Sequence, residues 1–130
     1  VRIKLGSYNY NKGGRGMAKR IYRVDEVTKD LPPQATKTLL YENERTNGVV
    51  WYVPPGEEVP AHYHPDTDDV WIVLQGQGEY YLGDGQTSPL EAGMVAVAAK
   101  GEVHGARATG TEPLVFAAVS APLPVQMIKV

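Results

Sequence analysis

The sequence predicts an all-β barrel or sandwich, and three observations carry that prediction. Short runs rich in β-branched and aromatic residues recur along the chain. Turn signals part them at the roughly 8–12 residue spacing of sandwiches and barrels. Glycine and proline, 14 and 10 of the 130 residues, punctuate the chain too often for long helices.

The elements follow in order. Val1, Ile3 and Leu5 alternate with Arg2 and Lys4, a strand pattern inside a short N-terminal arm over 1–20. Residues 21–130 read as one barrel domain. A single helical turn fits within 21–30 and is ended by Leu31-Pro32-Pro33. A strand over 36–41 leads into a turn region closing on Asn47-Gly48, a hairpin signal. The next strand, 49–53, is broken by Pro54-Pro55-Gly56, and a short extended piece covers 59–64. Residues 69–75 are the clearest strand, closed by Gly76. Segments 79–82 and 86–90 flank the tight tip Gly83-Asp84-Gly85. Strands over 94–98, 103–109 and 114–120 follow, then a Pro-rich loop and a last strand within 125–130.

Composition narrows the function classes. The chain has no cysteine, which removes disulfides, thiolate metal ligands and a cysteine nucleophile. No run approaches the roughly 18 apolar residues of a membrane span. The N-terminus shows no apolar signal region, so the expectation is a cytoplasmic protein with no membrane partner. Residues 1–30 hold eight basic and three acidic side chains, a net +5, which leaves −7 for the rest of a chain whose total is −2. The basic charges are dispersed, so a solvated or docked extension is expected rather than a nucleic-acid arm. Met17-Ala-Lys-Arg-Ile reads as a natural translation start behind Lys12-Gly13-Gly14, which makes residues 1–16 a translated leader on this reading.

All three histidines fall where they can meet. His62 and His64 occupy alternate positions of an extended segment, so both rings point to one face, about 6.5–7 Å apart along the strand. A short turn, Pro65-Asp66-Thr67-Asp68, brings the chain back antiparallel beside them, with Asp69 opening the returning strand. His104 opens another strand. Three imidazoles and one carboxylate converging on one point suit a divalent transition metal: Fe, Mn, Ni, Zn or Cu. Asp66 and Asp68 are alternative carboxylates, Asp68 facing away if Asp69 faces in.

The glycine frame around these residues is more specific. Gly56, five residues, His62-x-His64, four residues, Asp69, six residues and Gly76 make one motif. Gly93, five residues, Ala99-x-Gly101, two residues, His104, three residues and Ala108 make a second. This arrangement resembles the two conserved motifs of the cupin superfamily, specifically the small single-domain type. Three positions depart from it: Asp69 stands where the family has Glu, Ala99 where it has Pro, and Ala108 where it has Asn. Only the shorter Asp69 touches the chemistry. The resemblance implies an all-β double-stranded β-helix, or jelly-roll, barrel. It also implies a metal inside the barrel held by His62, His64, Asp69 and His104.

Strand parity then assigns the surroundings. If Asp69 points inward so do Trp71 and Val73, while Val70, Ile72 and Leu74 form an aliphatic outer face that a second subunit of a homodimer, or the arm, would cover. Trp71 and Ala106 are candidate walls of a substrate pocket, and the many small residues at 94–99, 106, 108, 117 and 118 leave room inside the barrel. No Lys or Arg lies between residues 46 and 99, so that stretch offers no anion clamp, although Lys37, Arg45 and Lys100 remain available. The expected function is metal-dependent turnover of a small molecule, by dioxygenase-like or isomerase/lyase-like chemistry. The alternative is a non-catalytic binding module for a metal or small ligand.

Overall fold

The computed structural model describes residues 2–5 and 19–130. The reading of 1–16 as a leader before Met17 therefore lies, apart from 2–5, outside the described residues. Eleven strands and one helical turn make up the described chain: β1 (Arg2–Leu5), α1 (Val24–Val27), β2 (Thr36–Glu42), β3 (Asn47–Val53), β4 (Glu58–Tyr63), β5 (Asp68–Gln75), β6 (Gln77–Gly83), β7 (Gln86–Glu91), β8 (Val95–Ala98), β9 (His104–Ala108), β10 (Leu114–Ala121) and β11 (Ile128–Lys129). They form two sheets, ordered β1-β2-β3-β10-β5-β8 and β11-β4-β9-β6-β7. This is the all-β architecture expected of a double-stranded β-helix. Among the described residues no helix is long and apolar enough to cross a membrane.

The sheets face each other across a core that includes Val53, Trp71, Val73, Leu114 and Phe116. Alternation along β5 is the clearest case. Asp69, Trp71 and Val73 are buried, while Ile72 and Leu74 are each 44 % exposed, so the predicted parity holds. The outer face continues onto the sheet-edge strand β8, where Val95 pairs with Ile72 and Val97 with Val70, both valines exposed.

The chain reverses where the backbone allows it. Asp84 and Gly85, both at positive φ, form the two-residue tip joining β6 to β7. Gly76 sits at φ +85, where an added Cβ would strike the Pro113 carbonyl, so only glycine lets β5 pass so close to the start of β10.

Two expectations about connection are corrected. Asn47-Gly48 is not the hairpin tip but the start of β3. Asn43 makes that turn instead, its side-chain oxygen accepting the amides of Arg45 and Thr46. Gly48 serves packing, because a Cβ there would collide with the Tyr41 ring. β5 does not return beside β4; it crosses to the opposite sheet and pairs with β10 and β8. The strands beside β4 are β11 and β9, and on the β9 side His62 stands directly opposite His104.

A candidate metal centre

The side chains of His62, His64, Asp69 and His104 converge in the barrel interior. All four are buried, and their ligand atoms lie within 4.8 Å of one another. Each comes from a different structural cause. β4 supplies His62, and the residue just past its end supplies His64. The β4–β9 register sets His104 against His62, with ring centroids 4.2 Å apart. Asp69 reaches in from the other sheet, closing the cluster from across the core.

The rings are oriented by the backbone. Nδ1 of His62 donates to the Pro60 carbonyl at 2.8 Å, Nδ1 of His64 to Gln126 at 2.8 Å, and Nδ1 of His104 to Glu102 at 3.1 Å. A carbonyl oxygen only accepts, so each Nδ1 carries the proton. In each neutral imidazole Nε2 then presents a lone pair. Nε2 of His104 and of His64 stand 3.0 Å and 3.5 Å from Asp69 Oδ2. Lone pairs facing a carboxylate at that distance repel unless a cation, a proton or a metal ion, sits among them. The short Asp69 side chain therefore does reach the cluster. It is held there by the Trp71 indole N–H, donating to Oδ2 at 3.2 Å, and the Ser120 hydroxyl, donating to Oδ1 at 3.2 Å. Outer donors of this kind are what fix metal ligands in place. The alternative carboxylates stay outside: Asp66 and Asp68 are exposed, and Asp68 accepts the Lys100 amide.

Charge is distributed unevenly over His62, His64 and Asp69. Burial pushes His62 down to about 4. Burial also works against a charged His64, but its contact with Asp69 and its bond to the Gln126 carbonyl outweigh that and raise it. For Asp69, burial is overcome by hydrogen bonds from His104 and His64, which require a proton on Nε2 and then hold the carboxylate well below its usual range.

A cavity of about 400 Å³ opens on this cluster, lined in part by Val49, Trp51, Val59, Ala118 and Met127. Trp71 and Ala106, the walls expected from sequence, do not line it. Both are essentially fully buried, Trp71 stacked on Phe116 with centroids 3.9 Å apart. Indole and phenyl fill that part of the barrel, so Trp71 supports Asp69 from behind rather than facing a ligand. Two lysines that border the cavity, Lys37 and Lys129, come from outside the cation-free stretch. Lys37 is half-buried, and burial lowers its pKa. The inward position of Lys37 follows the parity of Leu39 on β2, and that of Ser120 the parity of Phe116 and Ala118 on β10; Lys129 had no such signal.

A Cupin domain profile matches residues 49–120. An uncharacterized protein of Aquifex aeolicus is 43% identical over 104 residues, 78% of this chain and 84% of that protein. The oxalate-binding protein of Thermotoga maritima is 34% identical over 67 residues, 52% of this chain and 54% of that protein, so the chain spans about half the length of that relative. An uncharacterized conserved protein with a double-stranded β-helix domain from Klebsiella pneumoniae superposes with a TM-score of 0.81 at 36% identity, over 86% of this chain and 97% of that one.

Without metal, these charges give a definite pH profile. The unfolded chain protonates His62 near pH 6.5, whereas the folded chain resists until about pH 4, so stability falls as pH drops through that window. His64, raised on folding, contributes fully below pH 6.5 and loses its contribution as pH rises through its folded value. Urea unfolding of metal-free protein should therefore show greatest stability near pH 6.5. A monotonic rise from pH 5 to 8 would contradict these assignments.

Proposed function

The chain belongs to the cupin family, and from that premise we propose that it is a metal-dependent enzyme acting on a small polar molecule in the barrel cavity. One observation carries the reading: three Nδ1–H groups are tied to backbone carbonyls so that three Nε2 atoms and Asp69 face one point beside an open cavity. The donor set is nitrogen and oxygen without sulfur, which suits Fe, Mn, Ni, Zn or Cu. A bound ion of this kind would supply Lewis acidity and, with a redox-active metal, access to oxygen chemistry.

The chain's own groups do the rest. Trp71 and Ser120 orient the Asp69 carboxylate through their hydrogen bonds. Val49, Trp51, Val59 and Met127 give the cavity apolar walls that restrict water around a bound molecule. The reading admits dioxygenase-like and isomerase/lyase-like reactions. A second reading, a binding module without turnover, is favoured by one feature: Asp69 is the only carboxylate among the described cavity-lining residues, so no second one stands ready as a general base. The oxalate-binding relative from Thermotoga maritima points the same way.

The proposal also assigns the exposed aliphatic strip of β5 and β8 to contact with a second copy. Ile72, Leu74, Val95 and Val97 lie on adjacent strands at a sheet edge, a surface a two-fold symmetric partner can match. Light scattering should give twice the 14.2 kDa of one chain; a monomer mass contradicts the dimer.

Untagged protein should carry about one divalent metal ion per chain, and His62→Ala or His104→Ala should weaken binding at least about 100-fold. Oxygen uptake or product formation with Fe(II)- or Mn(II)-loaded protein, across small acids, diketones and sugars, separates enzyme from binder. Full metal binding by both alanine variants would defeat the site assignment.

A further inference from the structure

Lys37 is oddly placed for a structural lysine. On β2 it pairs with Trp51, and both side chains face the cavity, while its neighbours Thr36 and Thr38 are buried on the opposite side of the strand. The other β2 residue on the inward face, Leu39, packs against the core. At position 37 an ammonium lies over the Trp51 ring, 5.6 Å from its centroid. A ring face compensates only part of the hydration that a half-buried ammonium loses. Asp69, which lines the same cavity, attracts the ammonium, but among the described residues no carboxylate forms an ion pair with Lys37. Lys129, on β11 opposite His62, borders the same cavity. With a divalent ion in place, two lysine cations and the ion would face a cavity whose sole carboxylate among the described residues is Asp69. Such a cavity favours a ligand that brings more than one negative charge.

We propose that Lys37 is the specificity-determining contact of this cavity. It receives the second anionic group of a small dianion whose other end chelates the ion held by His62, His64, Asp69 and His104. The inference rests on the metal-binding reading above and adds the charge class of the ligand. Trp51 serves as the platform that keeps the ammonium aimed inward.

The test uses the full chain loaded with zinc. Calorimetric titration compares malonate, succinate and glutarate with their monoamides, which keep the shape and lose one charge. At least one dianion should bind about tenfold or more tightly than its monoamide. Lys37→Met should reduce that preference to within about threefold, and Lys37→Arg should retain most of it. Zinc content, measured in parallel, should stay near one per chain in both variants. A preference that survives Lys37→Met, one lost only in Lys129→Met, or no preference in the parent protein overturns the assignment of Lys37. If zinc is retained in those cases, the metal site itself still stands. Failure of the parent protein to retain zinc would overturn both.

Discussion

The structure turns on a conflict that only a cation resolves. Three buried imidazoles spend their Nδ1 protons on the carbonyls of Pro60, Gln126 and Glu102, and two of them turn Nε2 toward the carboxylate of Asp69. A proton can relieve one such contact. A divalent ion relieves all of them at once, because each Nε2 and the carboxylate then become donors to a shared centre. The ring orientations belong to the backbone and not to the ion, so the cost of arranging the ligands is met in folding.

The rest of the barrel serves that arrangement. The β4–β9 register places His62 against His104, and the crossing of β5 to the other sheet brings Asp69 to them from the far side. Behind Asp69, Trp71 is clamped between Phe116 and Tyr80, with centroids at 3.9 Å and 5.2 Å, so its indole N–H has one available direction. In front, Ala118 and the valines leave the space that the stacked aromatic rings fill on the other side. Packed behind and open in front, the cluster has a supported side and an accessible one.

Much of this was legible in the sequence, because it depends on period-two alternation and glycine spacing. The strands and the inward face of β5 follow from alternation, and the glycine spacing carried the family resemblance that implied the four clustered residues. What was not legible depends on which strand lies beside which. Asp69 looked like a hairpin neighbour of the histidines because the turn before it is short, yet the strand changes sheet there. Trp71 and Ala106 share the inward parity of the site but lie at a depth that aromatic stacking closes. Alternation reports a side chain's face and is silent on its depth. Lys129 reaches the cavity only because β11 joins the edge of β4, a pairing with no signature in a two-residue strand.

Nitrogen NMR of 15N-histidine-labelled protein reads the ring tautomers directly. In zinc-loaded protein at pH 7.5, His62, His64 and His104 should all keep the proton on Nδ1 and show Nε2 shifted by metal coordination. A protonated Nε2 on any of the three, or Nε2 signals unchanged by zinc, would contradict that arrangement.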